Sequence, residues 1–306
     1  MLTALLCLLI LTLFLCYDEV RDYFRPRRSL SGRLVLITGA AGGLGRQLAR
    51  EFAAAGARLL LWDVRMGALE ELSAWLVQEH GASPGALHIR CVDVSDGAAV
   101  ATAMAEAAAA LGPVSVLVNN AAVVRGHSVM ESSVGEIRQS FGVNALAHWW
   151  CAKAALPGMV AAGRGTVVTV SSVMAGIPSA RMADYSATKA AVAQLHHCLR
   201  WELRCTGVRC LLVQPFMIRD TPLFRGGAPI RYRALRPLLP LLEASAVAVA
   251  VVDGVRAGRE RLVLPFFLRH VVALLPWLPT FLHDLACDVG GAATAMEGFV
   301  GRSEHE

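Results

Sequence analysis

The chain has 306 residues, with 29 basic and 24 acidic side chains, and its net charge of only +5 is carried by scattered arginines without interleaved aromatics, which excludes a dedicated nucleic-acid binder. Charged residues make up 17% of the sequence, under the roughly 25% of typical soluble proteins, and a mean hydropathy of +0.50 requires apolar surface beyond one core. The eight cysteines form no CxxC pair and have no histidines at metal spacing, which predicts reduced thiols, no metal and a domain facing the cytosol.

Residues 2–17 carry no charged side chain and would span ~24 Å as a helix, short of a ~30 Å hydrocarbon core but enough for a thin membrane. No basic segment precedes this run, and the bulky Phe14-Leu15-Cys16-Tyr17 offers no cleavage site. Arg21, Arg25, Arg27, Arg28 and Arg33 follow it. The reading is an uncleaved anchor over 1–17, spanning or monotopic, and a basic linker over 18–32, with the rest of the chain cytosolic.

Aliphatic and β-branched runs at 33–38, 58–63, 88–92, 114–119, 165–171, 208–213 and 262–264 then alternate with helix-length segments such as 44–55, 98–111 and 183–204. This alternation predicts an α/β domain over 33–265, a single doubly wound parallel sheet of the Rossmann type with about seven strands. Ligands then belong at the carboxyl ends of the strands. Residues 266–306 form an apolar extension and tail. Arg269, His270, Pro276 and Pro279 interrupt 265–283, so it suits an interfacial segment or a lid, or else a terminal helix packed on the domain or a dimer partner; 290–306 reads as a loose tail.

The first strand ends in Thr38-Gly39-Ala40-Ala41-Gly42-Gly43-Leu44-Gly45, a TGxxxGxG loop opening a helix. Gly39, Gly43, Leu44 and Gly45 are therefore the expected pyrophosphate cradle, because glycines permit a tight turn and close backbone approach at a helix N-terminus. The second strand ends in Asp63, whose carboxylate would accept from ribose hydroxyls and repel a 2′-phosphate, favouring NAD(H); NADP(H) is the alternative, with Arg65 as the cation for the phosphate.

Tyr185 and Lys189 lie one helical turn apart on one face. A free phenol has a pKa of about 10, and lowering it to neutrality takes roughly 3 units, or about 4 kcal/mol. One nearby cation supplies at most about that much. A second positive charge, such as an oxidised nicotinamide, completes the shift. Lys153 and Lys189 are the only lysines, so the chain uses arginine almost everywhere else; a compact ammonium suits the space beneath a phenol better than a planar fork.

These motifs make residues 30 to 265 resemble the short-chain dehydrogenase/reductase family. The resemblance implies that Asp93 and Val94 lie near the adenine, and that Asn119-Asn120-Ala121-Ala122 stands for the family's NNAG, with Asn120 beside the cofactor. Pro215-Phe216 stands for its Pro-Gly, and Thr221 for a ligand to the carboxamide or pyrophosphate. It implies a tetrad of Asn144, Ser172, Tyr185 and Lys189, Ser172 lying thirteen residues before Tyr185. In this scheme Tyr185 exchanges the alcohol proton, Ser172 binds the substrate oxygen, Lys189 lowers the phenol and holds the nicotinamide ribose, and Asn144 orders a relay water.

Leu61-Trp62-Asp63, Asn119-Asn120-Ala121-Ala122-Val123-Val124, Val213-Gln214-Pro215-Phe216 and Leu264-Pro265, with the anchor, further resemble the membrane-anchored branch of retinol dehydrogenases, retinal reductases and 17β-hydroxysteroid dehydrogenases. This implies an apolar substrate, retinol/retinal first and a steroid or other lipid alcohol second, met by the apolar segments 123–130, 173–182 and 216–242. It also implies a homodimer at the endoplasmic reticulum membrane or lipid droplet. The competing reading of another class is a catalytically idle membrane or lipid-droplet scaffold, which would have no need of Ser172, Tyr185 and Lys189 together.

Overall fold

The computed structural model describes residues 17, 21–22, 24–219, 241–294, 296 and 299. Strands β1 (Leu34–Thr38), β2 (Arg58–Asp63), β3 (Leu87–Cys91), β4 (Val116–Asn119), β5 (Gly165–Val170), β6 (Val208–Pro215) and β7 (Arg261–Leu264) form one parallel sheet in the order β3-β2-β1-β4-β5-β6-β7. The architecture is the expected doubly wound one. Strand ends agree with the sequence reading to within two residues; β6 runs further, to Pro215, because its pairing with β7 continues through Gln214↔Val263 and Pro215↔Leu264.

Alternate residues of a strand point to opposite faces, and β1 is buried throughout, so each of its faces meets a separate apolar layer. Val35 and Ile37 join Phe52, Leu61, Val118 and Val213; Leu34 and Leu36 join Trp62, Leu117 and Val167. Helices α1 (Gly43–Ala54), α2 (Met66–His80) and, from the C-terminal part of the domain, Ala244–Ala257 cover the first face. On the second face lie α3 (Gly97–Leu111) and Ala147–Ala161. Fully buried side chains such as Phe52 and Leu61 each stabilise the fold by about 2 kcal/mol.

Between β4 and β5 the chain runs through α4 (Val134–Phe141), a π-helical turn over Gly142–Leu146 and α5 (Ala147–Ala161) without a break. After β5 comes α6 (Ala183–Glu202), then α7 (Ala244–Ala257) before β7, then α8 (Leu268–Leu274) and α9 (Thr280–Val289). The order reverses at β1, flanked by β2 and β4, so the crevice belongs above the carboxyl ends of β1 and β4.

The anchor expected over 1–17 lies outside the described residues apart from Tyr17, and among those described no helix is long and apolar enough to cross a membrane. Within the basic segment, Arg25 Nη1 donates to the Gly258 carbonyl at 2.5 Å and Arg28 N to that of Arg256 at 2.9 Å, so it lies against the end of α7. Among the described residues of the C-terminal segment, Ala292 accepts from Ala180 N at 2.9 Å and Met296 is buried against Val124, Met182 and Tyr185.

Candidate active site

The glycine loop is held from below. Thr38 Oγ1 accepts from Asn120 N at 3.0 Å and Ala121 N at 3.1 Å, while Asn120 Nδ2 donates to the carbonyls of Thr38 at 3.0 Å and Gly39 at 3.1 Å. These bonds tie the carboxyl ends of β1 and β4 together across the switch point. Gly39 has φ +61°, and a Cβ there would lie 2.8 Å from Ala121 Cα; a Cβ at Gly45 would collide with the Gly39 carbonyl oxygen. Helix α1 is preceded by Gly42, which offers no side-chain cap, so its first N–H groups are left for a ligand.

Asp63, at the end of β2, is buried. Its Oδ2 accepts from Ala41 N at 3.0 Å and its Oδ1 from Arg65 N at 3.2 Å, and the Arg65 guanidinium lies 3.4 Å from the same oxygen while donating to the Ala41 carbonyl at 3.3 Å. The lip that would meet the adenosine ribose therefore presents a carboxylate with a cation laid over it. Asp93 is exposed and turns its Oδ1 to Ser95 N and Oγ, and the neighbouring Val94 is buried. A loop that excludes side chains, an uncapped helix start and a carboxylate at the second strand together fit a dinucleotide.

At the carboxyl end of β5, Ser172 Oγ accepts from Met174 N at 3.1 Å and donates to the Pro215 carbonyl at 3.4 Å. Tyr185 and Lys189 approach from α6, which Ser171 Oγ fastens to the strand by donating to the Lys189 carbonyl at 2.8 Å. Lys189 Nζ donates to the Val170 carbonyl at 2.9 Å and lies 5.6 Å from the centre of the Tyr185 ring. Both side chains are almost wholly buried, at 1% and 4% exposure. Burial pushes the phenol up to about 12, against the downward pull of its hydrogen bond with Ser172, and draws the ammonium down to about 8. Burial thus favours the protonated phenol in the protein without its cofactor.

One cavity of about 570 Å³ joins these groups. Gly39, Gly43, Leu44, Gly45, Asp63, Asp93, Val94 and Asn120 line one part of it, with Ser172, Tyr185, Lys189 and Pro215 further along. Asn144 is fully buried behind this wall, and its side chain holds the backbone of Val123 through one donor and one acceptor bond. Thr221 lies outside the described residues, as does most of the segment 216–242.

Two contributors escape a reading of motifs. Thr38 was visible as the first letter of the loop, but its role as a buttress depends on β4 lying beside β1. Met296 joins Met174, Met182, Phe216 and Met217 at the apolar end of the cavity, and only its apolarity within a polar tail marked it.

The family model for short chain dehydrogenase matches residues 33–227. The chain belongs to this family. As such it is a nicotinamide-dependent oxidoreductase of the alcohol dehydrogenase type. This short chain dehydrogenase is similar to epidermal retinol dehydrogenase 2 of Mus musculus, 34% identical over 283 residues that cover 92% of this chain and 89% of the relative. It is also similar to 17-beta-hydroxysteroid dehydrogenase 13 of Homo sapiens, 30% identical over 282 residues, 90% of this chain and 89% of the relative. Among solved structures, a short chain dehydrogenase/reductase from Burkholderia phymatum in complex with NAD aligns with TM-score 0.71 and 28% identity over 81% of this chain and 94% of its own. A metagenomic short-chain oxidoreductase in complex with NADP aligns with TM-score 0.64 and 27% identity over 77% and 98%.

Proposed function

We propose that this enzyme interconverts an apolar lipid alcohol and its aldehyde or ketone, with all-trans-retinol/retinal as the first substrate pair and a 17β-hydroxysteroid as the second reading. The observation that carries it is the continuity of the cavity: Ser172 and Tyr185 open onto a wall of Met174, Met182, Phe216, Met217 and Met296, pliable apolar side chains that suit a long hydrocarbon. The names of the two relatives support the two readings.

Bound NAD(P) supplies the hydride acceptor or donor and, when oxidised, a positive charge. Asp63 favours NAD(H), while Arg65 laid across it is the group that would meet a 2′-phosphate. The glycine loop and the start of α1 would hold the pyrophosphate. Ser172 Oγ donates to the substrate oxygen, and Tyr185 Oη gives it a proton in reduction or takes one in oxidation. Lys189 shares the proton load of the phenol, and Asn144 holds Val123 against the cavity. The protonated phenol donates in reduction, and in oxidation the neighbouring Lys189 ammonium favours the phenolate.

The same reading places the enzyme on the cytosolic face of the endoplasmic reticulum or a lipid droplet, as a homodimer. Leu274, Trp277, Phe281 and Leu285 are exposed on and around α8 and α9, which supports a surface lying on lipid and delivering substrate from it.

The test is turnover by the full-length chain in membranes, supplied in turn with all-trans-retinol, all-trans-retinal, 17β-hydroxysteroids and long-chain alcohols, with each cofactor. The expected result is the highest kcat/KM for the retinoid pair. A steroid preference would select the second reading, and cofactor binding without turnover of any of them would select the idle scaffold. Tyr185→Phe should bind cofactor normally and lose at least about a hundredfold in kcat.

A further inference from the structure

The C-terminal segment reaches the apolar end of the cavity, and its own contacts hold it there. The Ala292 carbonyl accepts from Ala180 N at 2.9 Å and from Ser179 Oγ at 3.2 Å, which ties the segment to the loop between β5 and α6. Further on, Phe299 N donates to the Met296 carbonyl at 3.2 Å, and both side chains join the apolar cluster around Tyr185. The Phe299 ring lies where a side chain at position 126 would stand, since a Cβ on Gly126 would collide with its Cδ1.

Gly126 is a junction between loops. It has φ +73°, and its carbonyl takes Arg181 Nε at 2.9 Å. Arg181 is held at φ +62°, a left-handed conformation uncommon for an arginine, and its Nη2 pairs with Glu131 at 3.1 Å. The loops after β4 and β5 are thereby fastened to each other at the point where Phe299 docks. A left-handed backbone outside glycine persists only where its surroundings fix it.

Met296 takes its position from this arrangement. It is 3% exposed, packs with Tyr185, Val124 and Met182, and lines the cavity that Ser172 and Tyr185 share. A methionine alone is pliable, but one packed in a cluster with an aromatic ring seated on a glycine keeps its side of the cavity filled.

We propose that Met296 is a specificity-determining residue that bounds the space beside the reacting carbon, so that the enzyme selects primary alcohols and aldehydes over secondary alcohols and ketones. The inference rests on the assignment of Ser172 and Tyr185 to the substrate oxygen. With that oxygen fixed by the two hydroxyls, the reacting carbon lies next to it and its two substituents diverge. One follows the apolar cavity. The other is left beside the phenol ring, where Met296 packs; a hydrogen fits there and a carbon does not. Of the two substrate readings above, this favours the retinoid pair, whose reacting carbon carries a single carbon substituent.

The test uses the full chain in membranes with reduced cofactor. It compares all-trans-retinal and dodecanal, each with the methyl ketone that carries a methyl group in place of the aldehyde hydrogen. The readout is the ratio of kcat/KM for aldehyde over ketone, in which changes of folded fraction and cofactor affinity cancel and intrinsic reactivity is the same for every variant. Met296→Ala is expected to lower that ratio about tenfold through a gain on the ketone. Phe299→Ala, which removes the packing behind Met296, should lower it in the same direction by a smaller factor. An unchanged ratio in Met296→Ala would overturn the assignment; should that variant fail to fold, an unchanged ratio in Phe299→Ala does so. Wild-type enzyme that reduces the ketones as fast as the aldehydes would sink the inference and leave the lipid-alcohol reading standing. Failure to reduce any of the four compounds would remove that reading, and the inference with it.

Discussion

The Asn144 side chain grips the backbone of Val123 from both sides, its Oδ1 accepting from Val123 N at 2.7 Å and its Nδ2 donating to the Val123 carbonyl at 2.8 Å. The amide thereby pairs with an extended residue as a neighbouring strand would. It extends the order of β4 into the segment that lines the cavity opposite α6. The π-helical turn is what aims Asn144 at that segment, since one extra residue in the turn rotates the helix face.

Asn144→Asp should separate this role from a purely chemical one. A carboxylate would still accept from Val123 N but would face the Val123 carbonyl with no donor, leaving a buried acceptor unmatched. We expect a loss of about 2 kcal/mol in denaturant unfolding, together with a lower kcat and a higher KM for the lipid substrate. Unchanged stability would show that the clamp is not holding the loop.

The low value of Lys189 has a consequence for stability that is open to measurement. Its folded value is about 8, whereas an unfolded lysine titrates near 10.4. Between these limits the unfolded chain binds a proton that the folded chain has released, so this residue makes stability rise with pH over that window and contributes no slope below it. In the cofactor-free protein, Lys189→Met should remove that part of the slope, up to about 3 kcal/mol across the window. Parallel stability curves for the two proteins between pH 8 and 10 would contradict it.

Gly45→Ala tests the cradle. Its Cβ meets the Gly39 and Ala40 carbonyls, which are backbone and cannot swing aside. The variant should lose about 3 kcal/mol of stability and most of its cofactor affinity, read by thermal unfolding with and without NAD(H). Gly67→Ala is the matching control, because nothing lies within 4 Å of a Cβ there.

Cofactor choice should respond to both members of the Asp63–Arg65 pair in opposite directions. Arg65→Ala removes the cation available to a 2′-phosphate and should raise the preference for NAD(H) over NADP(H) by about tenfold in kcat/KM. Asp63→Ala should shift it the other way, at some loss of stability because Ala41 N forfeits its acceptor.

Much of this was legible beforehand because the deciding patterns are local. Thr38 to Gly45 can be read as a phosphate loop since the strand before it and the helix after it are adjacent in sequence, and the spacing of Tyr185 and Lys189 fixes a shared helix face. What depends on distant packing was not legible. The Asn144 clamp requires a π turn that no spacing announces, and the raised phenol of Tyr185 depends on Val124, Met182 and Met296 arriving from elsewhere to exclude water. The place that Met296 takes against Tyr185 likewise depends on residues distant in the chain.

The scarcity of lysine gives the buried ammonium a practical side. Lys153 is exposed and Lys189 is sealed, so the two lysine side chains of the chain differ sharply in access. An amine that sheds its proton near pH 8 is a nucleophile as soon as reagent reaches it, in conditions where a surface lysine is still mostly protonated. Acylation at position 189 therefore reports how often the site opens, and acylation at position 153 supplies the internal standard in the same peptide map.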